Sequence, residues 1–148
     1  MIELTQLGSD SIQQIISFDR ECFPVDFWEA SDWKELLDDE RAIYYALLDD
    51  GKIVGNVFIY NWKGEKDYVK IMNIAVHPAY RKQGFAHKLL GHASNQMRML
   101  DMRQFRGETR ASNKAMQRVF ESCGYALRTI EEDYYDNPRE SAYKYVLT

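Results

Sequence analysis

Cysteine is nearly missing from this 148-residue chain: Cys22 and Cys123 are the only two, far apart and without metal-ligand spacing. That excludes a disulfide framework or a thiolate metal centre, and it suits two small buried hydrophobes in a reducing cytosol. Histidine is scarce too, and His77, His87 and His92 form no ligand pattern, so no metal is expected. No stretch approaches the ~20 apolar residues of a membrane helix. The N-terminal MIELTQLGSDS lacks the basic region and apolar run of an export signal. Excess positive charge is also lacking, with 19 Lys and Arg against 23 Asp and Glu. A general nucleic-acid binder needs a basic face, so that class is set aside. What the chain does have is core material: 45% hydrophobic and 14% aromatic residues, a globular composition. One cytoplasmic domain spanning residues 1–148 is the simplest organisation, with no repeat, low-complexity segment or linker to divide it.

Periodicity sets the order of elements. IELTQL (2–7) reads as a strand, and Ser9 or Asp10 is placed to cap a helix whose Ile12, Ile15, Ile16, Asp19 and Phe23 follow helical spacing, Asp19 being its polar break. A loop at Pro24 leads to a short helix near 31–38. AIYYALLD (42–49) and IVGNVFIYNW (53–62) read as strands joined through the Asp-Gly hairpin signal of DDGK. YVKIMNIAV (68–76) is the next strand, followed by a helix over about 84–100, a strand at FRGET (105–109), a helix over 112–123 and two closing strands. The result is β-α-α-β-β-β-α-β-α-β-β, an α/β mixed sheet.

The segment NIAVHPAYRKQGFAHKLL (73–90) turns from strand to helix through a basic corner bearing Gly84. The plainer reading is a surface connection with incidental charge. The sharper one is an anion cradle: N–H groups opening a helix have no helical partner, the helix dipole is positive there, and Gly84 permits a tight turn or a close approach. Arg81 and Lys82 add charge. Together with its flanks this corner resembles the phosphate loop of the GCN5-related N-acetyltransferases (the GNAT family), Arg/Gln-x-x-Gly-x-Gly/Ala, through Arg81, Gly84 and Ala86, preceded by Ile74, Ala75, Val76 and Pro78. The element order fits that fold over nearly the whole chain. The resemblance implies acetyl-CoA as donor, its pyrophosphate on backbone N–H groups of Lys82, Gln83, Gly84, Phe85, Ala86 and His87. The pantetheine arm would lie beside the 68–76 strand, with main-chain hydrogen bonds from Ile74 and Val76.

Amine acetylation needs a neutral nucleophile, and a lysine amine (pKa ~10.4) or an α-amine (~8) is wholly or partly charged at neutral pH. A positioned base helps by ~10²–10⁴-fold. Strand alternation in FRGETR places Arg106, Glu108 and Arg110 on one face. Glu108 is therefore either that base or one member of a solvated, salt-linked face with two arginines. GETRASNKAMQRVFESCGY closely resembles the strand and helix of the RimI-type ribosomal-protein alanine acetyltransferases within that family. By that resemblance Glu108 is the general base, Asn113 contacts the CoA arm, and Tyr134-Tyr135 with the 136–140 hairpin covers the acceptor. An acetyltransferase acting on a protein N-terminus, a ribosomal-protein alanine among them, is the function implied. A small amine (polyamine, antibiotic or amino acid) is the alternative acceptor, and a non-catalytic acetyl-CoA-binding module the alternative class.

One residue departs from the pattern. Phe120 stands where the family usually has a tyrosine that protonates the leaving thiolate, and by that resemblance it counts with Asn113 among the cofactor-binding residues. Either Phe120 packs in the core at helical spacing from Met116 and Cys123, or the loss of the phenol is made good by water, Tyr134 or Tyr135. Phe23, Phe27, Trp28 and Trp33 either line an acceptor site or pack a loop onto the core.

Overall fold

Seven strands and four helices follow one another in the expected order in the computed structural model, which describes residues 1–148: β1 (Ile2–Leu7), α1 (Ile12–Cys22), α2 (Ala30–Leu37), β2 (Ala42–Asp49), β3 (Lys52–Asn61), β4 (Val69–Val76), α3 (Phe85–Arg98), β5 (Phe105–Arg110), α4 (Lys114–Ser122), β6 (Ala126–Tyr135) and β7 (Glu140–Leu147). They build a single sheet in the order β1-β2-β3-β4-β5-β7-β6, antiparallel throughout except for the β4–β5 pair. The β2–β3 turn carries positive φ at both Asp50 and Gly51, as the Asp-Gly signal requires. The first helix starts differently from expectation. Ser9–Ser11 forms a 3-10 turn, so neither Ser9 nor Asp10 occupies the cap position of α1, and no side chain caps it.

Each face of the sheet has its own core. Leu89, Leu90, Ala93 and Met97 of α3 and Phe120 of α4 pack on Val57, Ile59, Val69, Ile71 and Phe105. Ile15 and Phe18 of α1 and Trp33 of α2 pack on Tyr44, Ala46 and Phe58 on the opposite face. Full burial of side chains of this size stabilises the fold by about 1.5–3 kcal/mol each, which is why the helical and strand periodicities survive so well in the observed elements.

The sheet has one seam. β4 and β5 pair only at Val69–Phe105 and Lys70–Arg106, and beyond them the strands part while β5 continues its ladder with β7. His77 N donates to Val54 O, and alternation therefore turns the main-chain groups of Ile74 and Val76 away from β3 and into the fork. Gly107 sits at its vertex: a Cβ there would lie 2.5 Å from the Phe120 ring and 3.4 Å from Ile71 Cβ, so only glycine fits.

Candidate active site

On one side of the fork, the corner before α3 presents a run of unused donors. The first bond of the helix is Lys88 N to Gly84 O, and the six N–H groups from Lys82 to His87 have no partner in the protein. Lys82 and Gly84 both adopt positive φ (64° and 78°), the left-handed conformation found where successive amides form an anion-binding nest. Gly84 is needed for that φ rather than for space, since a Cβ there would meet no atom within 4 Å. The Arg81 Nε donates back to Val76 O at 3.1 Å, tying the corner to the end of β4. Arg81, Lys82 and Gln83 are exposed, and Phe85 and Ala86 half-buried, so the backbone amides are the cradle and the cations surround it.

On the other side stands Glu108, its side chain 17% exposed. Tyr134 donates its hydroxyl to Glu108 Oε1 at 2.8 Å. Lys70 and Lys144 approach Oε2 at 3.3 and 3.8 Å. Burial first, and then the bond to Glu108, push the Tyr134 phenol up to about 12, so it keeps its proton at neutral pH. The arginines expected to flank Glu108 do not: Arg106 bonds Gln104 and stacks over Tyr68, and Arg110 turns to Asp26 and Glu140.

The loop between α1 and α2 forms a wall on the same face as Glu108. Asp19, only 3% exposed, holds it: Oδ2 accepts from Trp28 N (2.9 Å) and Trp33 Nε1 (3.1 Å), and Oδ1 accepts from Asn73 Nδ2 (3.1 Å) on β4. Burial pushes the Asp19 carboxyl upward, and those three hydrogen bonds pull it back. Trp33 is core, tilted against Phe58 and edge-on to Tyr44, so ordinary packing describes it; Phe23, Phe27 and Trp28 remain half-buried on the loop.

Comparison with known proteins gives this geometry a family. A model described as acetyltransferase (GNAT) family matches residues 12–125. The chain belongs to that family. Among curated relatives, a [ribosomal protein bS18]-alanine N-acetyltransferase of Haemophilus ducreyi is 37% identical over 79 residues, 51% of this chain and 54% of the relative. Its counterpart in Escherichia coli K12 is 31% identical over 96 residues, 65% of this chain and 63% of the relative. These alignments thus span between half and two thirds of the relatives' own lengths. The crystal structure of the ribosomal-protein-S18-alanine N-acetyltransferase from Escherichia coli superposes with a TM-score of 0.88 at 25% identity, covering 99% of this chain and 93% of that one.

Within this GNAT frame, the structure brings Ile74, Ala75 and Val76 to the fork, and the run from Arg81 to His87 to its mouth. Asn113 stands at the start of α4, where its Oδ1 accepts from Met116 N at 3.0 Å; its carbonyl oxygen is used as a helix cap and only its amide N–H₂ is free. Phe120 lies beneath the fork rather than on its open surface. Its ring is 1% exposed, stacks on Tyr145 with centroids 5.0 Å apart and lies against Tyr125, so it is core beneath the vertex. Lys70, Lys144 and the Asp19–Asn73 pair were missed as site residues. A lysine and an asparagine inside the otherwise apolar YVKIMNIAV were the available signal. No group of His, Cys, Asp or Glu side chains is arranged to hold a metal, and no helix is long and apolar enough to cross a membrane.

Proposed function

We propose that the protein is an acetyl-CoA-dependent N-acetyltransferase whose acceptor is the α-amine of a protein N-terminus. The observation that carries this reading is the β4–β5 fork, open between six unpartnered N–H groups at one side and a half-buried carboxylate at the other. The amides from Lys82 to His87 suit a pyrophosphate, since convergent N–H groups and a helix N-terminus hold anions. The fork admits an extended arm, and the Ile74 and Val76 main chain hydrogen-bonds it as an added strand would. Acetyl-CoA supplies an activated thioester. The amine nitrogen attacks its carbonyl carbon, a C–N bond forms and the C–S bond breaks. Glu108 accepts the amine proton, directly or through water, and backbone N–H groups on β4 polarise the carbonyl oxygen as preorganised donors do. The Tyr134 hydroxyl, which donates to Glu108 Oε1 at 2.8 Å, returns a proton to the thiolate and is recharged by the proton that Glu108 has taken, in place of the phenol that Phe120 lacks. The acceptor class follows the relatives named above, with a ribosomal-protein alanine as the first candidate.

A second reading has its own observation. Lys70, Glu108, Lys144 and Glu131 form an alternating row of charges across β4, β5, β7 and β6, which makes Glu108 a structural member of an ion-pair face. Free CoA release measured with N-terminal peptides against small amines identifies the acceptor, and Glu108→Gln separates the two roles. A base is expected to lose ~10²-fold or more in kcat/KM near pH 7, with acetyl-CoA affinity unchanged and the deficit shrinking at high pH as the amine deprotonates itself. Wild-type rates in a destabilised Glu108→Gln protein would leave only the ion-pair role.

A further inference from the structure

We infer that Arg110 is the positioning residue of the acceptor site, a single side chain that locks its two walls together. The inference rests on the reading that the face bearing Glu108 receives the acceptor. Arg110 follows Glu108 by two residues on β5, so both side chains leave the same face. Every one of its five N–H donors is used. Nε and Nη2 grip Asp26 of the α1–α2 loop bidentately, both at 2.8 Å. Nη2 also donates to Asp136 O at 2.7 Å, and Nη1 to Pro138 O at 2.7 Å, both in the β6–β7 turn, and to Glu140 Oε2 at 3.1 Å at the start of β7. Glu140 uses its other oxygen on Ser112 N at 2.9 Å, anchoring the approach to α4. The guanidinium is 15% exposed and lies 4.7 Å from the Tyr135 ring, which packs edge-on against Tyr134, the partner of Glu108.

Two loops distant in sequence, one on each side of the fork, are thereby fixed to each other and to the strand that carries Glu108. Only a planar fork of five donors makes this set of bonds; lysine would keep the charge and lose the geometry. The guanidinium therefore sets the width of the acceptor cleft and the placement of the Tyr134 hydroxyl, without touching the reacting atoms.

Arg110→Lys and Asp26→Asn test this separately, in the full chain with acetyl-CoA and a short peptide bearing a free N-terminal alanine. Both are expected to raise the peptide KM by about tenfold or more, as loss of preorganisation does, while the acetyl-CoA Kd from calorimetry stays unchanged. Amide hydrogen exchange should accelerate in 23–29 and in 134–140 together in either variant, although each substitution lies in only one part of the cluster. The double variant should be no worse than the single ones. An unchanged peptide KM with a lowered melting temperature would overturn the inference and leave an ordinary stabilising ion pair, as would faster exchange confined to the mutated segment. Wild-type protein that binds acetyl-CoA but acetylates neither the peptide nor any small amine would defeat the functional reading itself, a different result from wild-type turnover that Arg110→Lys leaves intact.

Discussion

The corner before α3 and the rim around Arg110 flank the same fork and are built in opposite ways. At the corner six consecutive N–H groups have no partner, and the backbone accepts positive φ at Lys82 and Gly84 to aim them outward. At the rim five guanidinium donors, two carboxylates and two turn carbonyls are matched to one another. The corner keeps its hydrogen-bonding capacity for something that arrives. The rim has already used its own, and what it offers a ligand is shape. A cofactor common to many acetyltransferases needs a generic anion site; an acceptor that differs from enzyme to enzyme needs a wall of fixed outline.

The sharpest way to break this comparison is to unsettle the rim from beneath. Asp19→Ala removes the one acceptor serving Trp28 N, the Trp33 indole and Asn73. Leaving one buried and two part-buried donors unmet costs about 2 kcal/mol or more, so urea denaturation should show that loss while the folded fraction still binds acetyl-CoA. A drop of less than about 0.5 kcal/mol, the range of ordinary surface changes, would mean the loop is held by its aromatic packing alone. Gly84→Val attacks the corner. Open space surrounds the site, so the fold should survive, but a β-branched residue at φ 78° resists the cradle conformation. Acetyl-CoA affinity should fall tenfold or more, about 1.4 kcal/mol, and calorimetry finding normal binding would remove the corner from the donor site. The smallest effect is expected at Phe120, which belongs to neither region. Phe120→Tyr should change kcat by less than about threefold, roughly 0.7 kcal/mol of barrier, and cost stability if its hydroxyl finds no partner in the core. A tenfold rise in kcat would show that the native site lacks an effective acid and that Tyr134 does not supply one.

The same contrast explains what could be read from the residues alone. The corner is contiguous, so strand, proline, basic residues and glycine announce it within a short window, and the Asp50-Gly51 turn was legible for the same reason. The rim is assembled from positions 26, 110 and 136–140, which become neighbours only once β5 pairs with β7 and the α1–α2 loop folds across the sheet. Alternation correctly put Glu108 on one face with Arg106 and Arg110. It could not show that Asp26 and Glu140 would draw Arg110 away, or that the β5–β7 register would set Lys144 directly opposite Glu108. Asp19 announced itself as a polar break in an apolar stripe, yet its donors come from the following loop, α2 and β4. The start of α1 misled because serine and aspartate suit a 3-10 turn as well as a cap.

Seen as a mechanical part, the sheet is two slabs, β1 to β4 and β5 with β7 and β6, riveted at Val69–Phe105 and Lys70–Arg106. From that rivet the free stretch of β4, Ile71 to Val76, is a lever arm of roughly 20 Å. A rotation of a few degrees at the rivet would open the far end by about an ångström, against the hold of the Arg110 clamp and of the core that both slabs share. Gly107 and the Phe120 ring, wedged at the pivot, fix the rest angle from which that opening begins.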